Sequence, residues 1–322
     1  MTTNGAVEIA AAIENAEDAA GAVGLKTVDV LDFLKLELPP REFILEPILR
    51  QKDIAMLYSW RGVGKTYLAL SMAYAIASGT KFLRWTAPRP RRVVYIDGEM
   101  PASTMQERLS HIRAASESEP PPGYFRIITP DTQEVPIPNL LSRESQELVD
   151  AMVLGNADVV VFDSISTLFR GGRENEAESW LPAQEWALQL RRRGLSVIFL
   201  HHEGKGGAQR GTSRREDVLD TVIHLVRPSD YHAVEGARFE LHFEKARATF
   251  GNSAKPFDAR LEVRDGRAEW SMREVEDVKL TQAVALLKIG LSVREVGKEL
   301  GVSKSQAQRL REKARQLGLL SQ

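Results

Sequence analysis

Cysteine is missing from all 322 residues. That excludes a disulfide framework and thiolate metal sites, and it fits a reducing compartment, so a cytoplasmic protein is expected. No apolar run approaches the ~18 residues needed to cross a bilayer, so no membrane partner is expected. Neither sign of charge is in excess: 43 Lys and Arg stand against 44 Asp and Glu, a net of −1. A nucleic-acid partner would therefore have to be met by local basic surface and not by a global field. Internal repeats and long low-complexity tracts are also lacking. The first 25 residues are Ala-rich and acidic, without the basic start and continuous apolar segment of a signal or transit peptide, and read as a flexible arm. The length suits a large α/β domain with a small appendage, or two medium domains, with ample room for a core.

What is present is an alternation of strands and helices. After a Leu- and Pro-rich lead-in, a β-like run over Ile54 to Tyr58 precedes "SWRGVGKT" (59–66). A helix then follows, with Leu68, Met72, Ala75 and Ile76 at helical spacing and Gly79 placed as its C-terminal cap. A second apolar run, Arg92 to Ile96, ends in "DGEMP" and leads into a helix with Met105, Leu109 and Ile112 on one face. Residues 116–142 read as a surface excursion around a short strand, Tyr124 to Ile128. "ADVVVFDSIS" and "LSVIFLHHEG" read as continuous buried strands, with a helix over "SWLPAQEWALQLRRRG" between them. This predicts a mostly parallel sheet covered on both faces. Shorter periodicity from Phe239 to Met272, with turns at Gly251-Asn252 and Asp265-Gly266, predicts closing antiparallel strands. The last fifty residues read as helical, so the expected organisation is an arm over 1–25, an α/β P-loop domain over 26–271 and an all-α unit over 272–322.

The stretch 59–66 nearly matches G-x-x-x-x-G-K-[ST], with Ser59 in place of the first glycine. In such a loop successive backbone N–H groups curl around a phosphate and the following helix adds its positive end. Gly62 and Gly64 let the backbone approach closely, Lys65 neutralises β/γ oxygens, and Thr66 offers a hydroxyl to Mg²⁺. Ser59, Arg61, Val63 and Tyr67 complete the expected ATP-binding segment; a small residue with negative φ fits where the chain leaves the strand. Asp163, at the end of "VVVFD", is placed to be the carboxylate that reaches Mg²⁺. Ser164 follows it where some ATPases carry Glu, so the group that orients the attacking water must lie elsewhere. Glu99 offers it, with Asp97 as the rival.

Together, "SWRGVGKTYLAL", "VVYIDGEMPASTMQERL", "VVVFDSISTLFRGGRENEA" and "SVIFLHHEGKGGAQRGTSRREDVLDTVIHL" resemble the RecA-like hexameric ATPases of the RepA plasmid replicative helicase type, relatives of DnaB. The resemblance spans roughly Val28 to Ser271. It implies a RecA-like P-loop NTPase fold, a homo-hexameric ring with single-stranded DNA in its channel, and Glu99 as the catalytic carboxylate in preference to Asp97. It also implies that His202, beside His201, touches the γ-phosphate side; a His pair that merely finishes a strand is the plainer alternative. Arg210, in "RGTS", matches the family's trans-acting arginine, and Lys245 and Arg247 in "FEKARA" resemble a K-x-R pair that acts across the same interface. Solvated loop charge is the plainer reading of all three.

The C-terminal stretch carries two capping boxes, Ser292 with Glu295 and Ser303 with Gln306, with turns at Gly290 and Gly301. Val296, Leu300, Val302, Ala307, Leu310 and Ala314 form an inner face. The pattern resembles a helix-turn-helix, in which Ser303, Lys304, Ser305, Gln308 and Arg309 would face the major groove of duplex DNA. An oligomerisation or docking module is the alternative. The functional expectation is an ATP- and Mg²⁺-dependent ring-forming DNA motor, a helicase. A DNA-binding regulatory or adaptor ATPase and a recombinase-like filament are the competing readings.

Overall fold

Alternate residues of each central strand are apolar and both alternate sets are buried, so the sheet must be covered on two faces. The computed structural model describes residues 26–171, 180–203, 217–228 and 230–320. The described residues divide into two units, one ending at Pro40 and the other beginning at Arg41. In the first, α1 (Val30–Phe33) is capped by Asp29, whose carboxylate accepts from the Leu31 N–H.

The second unit opens on a hairpin of β1 (Phe43–Leu45) and β2 (Leu49–Arg50), followed by β3 (Ile54–Ser59) and α2 (Lys65–Ser78). A small ribbon, β4 (Lys81–Phe82) and β5 (Trp85–Thr86), precedes β6 (Val93–Asp97), α3 (Ala102–Ala115) and β7 (Phe125–Ile128). Next come α4 (Arg143–Val153), β8 (Val159–Asp163), α5 (Ile165–Leu168), α6 (Leu181–Arg192) and β9 (Ser196–His202). The sheet is completed by β10 (Thr221–Val226), β11 (Arg238–Ala246), β12 (Phe257–Arg264) and β13 (Arg267–Glu274). Strand order is β13-β12-β11-β10-β3-β9-β8-β6-β7, parallel from β10 to β7 and antiparallel from β10 outward to β13.

The alternation is visible in β3. Ala55 and Leu57 join one core cluster with Leu68, Met72 and Ile76 of α2, whereas Ile54, Met56 and Tyr58 join another with Trp186 of α6 and Phe199. Helix α2 is buried nearly all round, so its end must be stopped by backbone conformation and not by a polar face. Gly79 does this at φ +69, in the left-handed region, with its N–H donating to the Ala75 carbonyl. A Cβ there would lie 2.6 Å from Pro90 Cδ and from the Pro90 backbone nitrogen. Gly79→Ala is therefore expected to destabilise the protein by about 2–4 kcal/mol, left-handed strain plus overpacking. Urea denaturation checks this as a lower midpoint with an unchanged slope.

Three observations differ from the sequence reading. The "ADVVVFDSIS" strand stops at Asp163 because Ser164 and Thr167 form a reciprocal capping box that opens α5. Strand β10 carries no expectation at all, since His224 interrupts its apolar run; that ring stacks on Tyr58 of β3 at 4.2 Å. The all-α part begins at Val275, because β13 continues to Glu274. There α7 (Val275–Lys288), α8 (Val293–Glu299) and α9 (Lys304–Gln316) enclose a small core of their own that includes Ala283, Val296, Ala307 and Leu310. Both expected capping boxes are formed. At Gly297 a Cβ would lie 3.1 Å from the Val302 carbonyl oxygen, so a glycine admits the close approach of the turn.

Among the described residues no helix is long and apolar enough to cross a membrane.

Candidate nucleotide site

The loop from β3 to α2 needs two residues with positive φ, and both are glycines: Gly62 at +75 and Gly64 at +122. It is braced from the β10–β11 side. Arg227 Nη2 donates to the Gly62 carbonyl at 3.1 Å while the guanidinium lies over the Tyr231 ring. A Cβ on Gly64 would come within 3.0 Å of Ala237 Cβ. In front of the loop is a cavity of about 820 Å³, to which Arg61, Gly62, Gly64, Lys65, Thr66 and Tyr67 contribute. Its other walls include Asp97, Glu99, Arg108, Asp163 and His202.

Lys65 is 5% exposed. Burial pushes its ammonium down to about 8, against the attraction of Asp163, Glu99 and Glu203. Its Nζ donates to the Ser59 carbonyl and to Ser59 Oγ, each at 3.1 Å, and lies 3.2 Å from His202 Nδ1. The other imidazole nitrogen, His202 Nε2, stands 3.7 Å from Glu99 Oε2. Burial, and then the Lys65 charge, lower the His202 pKa. Ser59, Lys65, His202 and Glu99 thus form one polar chain, of which Lys65, His202 and Glu99 line the cavity.

The rival carboxylates occupy different positions. Asp97 Oδ2 accepts from the Met100 N–H at 2.8 Å and the Glu99 N–H at 3.3 Å, so this carboxylate braces the turn that carries Glu99. Burial, reinforced by the Asp163 charge and opposed by those N–H groups, pushes Asp97 up to about 7. The Glu99 side chain is 61% exposed and reaches toward His202. Asp163 pairs with Asp97 across β8 and β6 and is buried, which raises its pKa; the Tyr95 hydroxyl donates to Asp163 Oδ2 at 2.7 Å, and Thr66 also hydrogen-bonds to it. A buried carboxylate with a hydroxyl beside it is an oxygen donor set suited to a hard divalent cation, so Thr66 and Asp163 fit Mg²⁺.

The remaining expected residues lie elsewhere. Lys245 and Arg247, on and just after β11, both donate to the Asp217 carbonyl, at 3.5 and 3.1 Å, and Arg247 also pairs with Asp220. Arg210 lies outside the described residues. On α9, Lys304 and Arg309 are exposed, the Ser303 hydroxyl caps the helix and contacts Ser305 Oγ at 3.0 Å, and Gln308 donates to Glu312 at 2.8 Å.

Sequence reasoning missed Tyr95, Arg108 and Arg227. Tyr95 had a signal, a polar-tipped ring in an otherwise aliphatic strand two residues before Asp97. Arg108, with its guanidinium 5.4 Å from the Tyr67 ring centroid, and Arg227 had none, because only the fold brings α3 and the end of β10 to the loop.

A parallel sheet with one strand, β9, between the loop-bearing β3 and the Asp163-bearing β8, joined to this cradle, defines a RecA-like P-loop ATPase. Residues 19–208, more than half of the chain, match the family model described as AAA domain (AAA_25), and the chain belongs to that family. Among solved structures, a KaiC-like protein from the hyperthermophilic archaeon Pyrococcus horikoshii OT3 is similar at 18% identity, over 71% of this chain and 93% of that one, with a TM-score of 0.47.

Proposed function

We propose that this ATPase is a ring-forming DNA motor, a replicative helicase of a plasmid, phage or other mobile element. The observation that carries the reading is the placement of Glu99. It follows the strand beside the Asp163 strand and reaches His202, as the resemblance to RepA-type helicases requires of a water-orienting carboxylate. Lys65 binds β/γ oxygens, Thr66 and Asp163 hold Mg²⁺, Glu99 accepts the proton of the attacking water, and His202 reports on the γ-phosphate. Mg²⁺, when bound, supplies charge neutralisation at the phosphates. Lys245 and Arg247 are not among the residues that line the cavity of their own chain, and with Arg210 they are assigned a role across a subunit interface, as the resemblance implies.

The helices α7 to α9 favour a second reading, a DNA-binding regulatory or adaptor ATPase. Here Ser303, Lys304, Ser305, Gln308 and Arg309 would present α9 to a duplex as a helix-turn-helix does, with Lys304 and Arg309 exposed for phosphate or base contact. One comparison separates the two. A motor shows hydrolysis stimulated by single-stranded DNA, and displaces a strand from a forked duplex. The regulator binds duplex sequence-specifically and displaces nothing. In either case, the double variant Lys304→Ala/Arg309→Ala should weaken duplex binding. Its log K against log salt slope should be shallower by about one unit for each phosphate that is no longer neutralised. An unchanged slope removes these residues from the interface.

A further inference from the structure

The Lys65 ammonium is surrounded by more acceptors than it can satisfy. The carbonyl and hydroxyl oxygens of Ser59 are each at 3.1 Å, the Trp60 carbonyl is at 3.3 Å and His202 Nδ1 is at 3.2 Å, around a group with three N–H bonds. Ser59 has 0% exposure, and its own O–H is committed to the Trp60 carbonyl at 2.7 Å, which turns the oxygen lone pairs toward Lys65. The residue is held from the other side as well, since the Glu203 N–H donates to the Ser59 carbonyl at 2.8 Å. A hydroxyl so fixed cannot turn to water. Glycine, which the phosphate-loop pattern specifies at this position, would offer no such acceptor.

We propose that Ser59 is a positioning residue whose hydroxyl competes with nucleotide phosphate for the Lys65 ammonium, and so sets the affinity for polyphosphates. Two phosphate oxygens can be engaged only if Lys65 surrenders hydrogen bonds already made. The backbone carbonyls are fixed by the loop, so the bonds released are those to Ser59 Oγ and His202. The hydroxyl thus lowers affinity for nucleotides that bear a β-phosphate and leaves nucleoside monophosphate binding alone. This rests on the reading of Lys65 as a phosphate ligand.

The test is calorimetric titration of the full chain with ADP plus Mg²⁺ and, separately, with AMP. Ser59→Ala and Ser59→Gly should each bind ADP about fivefold more tightly than the wild type, the worth of one hydrogen bond. AMP affinity should not move, and Ser59→Thr, which keeps the hydroxyl, should restore the wild-type ADP value. In a Lys65→Ala background, Ser59→Ala should have no effect on ADP. A generally weakened fold cannot tighten a ligand selectively, so ADP affinity that is unchanged or weaker in both the Ala and Gly variants overturns the proposal, as does equal tightening of AMP. If the wild type binds ADP no better than AMP, the reading of Lys65 fails as well.

Discussion

Lys65→Ala is expected to abolish ATP turnover, a loss of at least about 10³-fold in kcat/KM, at the upper end of what removal of one electrostatic donor costs. Lys65 is the buried cation of the cavity, attracted by Asp163, Glu99 and Glu203, and without it only Arg61 and Arg108 would be left among the lining residues to offset the charge of the phosphates and of Asp163 and Glu99. Like charges confined in a partly dry site repel more strongly than in water. Both binding and chemistry should therefore suffer, and Mg²⁺ should rescue little. Malachite-green phosphate release and ADP titration measure the two effects separately. Wild-type turnover in this variant would remove the stretch 59–66 from the phosphate site.

Glu99→Gln should split binding from chemistry. The amide keeps the size of the side chain and can still lie near His202, so a non-hydrolysable ATP analogue should bind within about twofold of wild type. Glutamine cannot take up a proton, and kcat should fall by about 10²- to 10⁴-fold. Single-turnover hydrolysis in saturating ATP reads this directly. Asp97→Asn is the informative companion, because Asp97 also lines the cavity but is engaged with the backbone N–H groups of Met100 and Glu99. Should Asp97→Asn stop turnover while Glu99→Gln remains near wild type, the roles of the two carboxylates must be exchanged.

The two carboxylates also show where sequence reasoning reaches its limit. Their spacing from β6 is plain in "VVYIDGEMP", yet nothing local distinguishes a brace from a base. The turn sets them in different surroundings: both line the cavity, but Asp97 folds back on the Met100 and Glu99 N–H groups while the Glu99 side chain reaches toward His202. The Gly79 cap and the capping boxes at Ser292 and Ser303 were legible because each is satisfied within a few residues of chain. Strand β10 was not, since a histidine in a buried strand makes sense only once Tyr58 is beside it.

By itself, then, the sequence determined the phosphate loop, the continuous apolar strands that must be covered on both faces, the helix ends at Gly79, Ser292 and Ser303, and the compact C-terminal helices. All of these are set by near neighbours and by the periodicity of the backbone. Only the tertiary structure decided that Tyr95 holds Asp163, that Arg227 braces Gly62, and that Ser59, Lys65, His202 and Glu99 share one polar chain. These partners lie up to 165 residues apart along the chain, and it is the register of parallel strands that brings them within hydrogen-bonding distance.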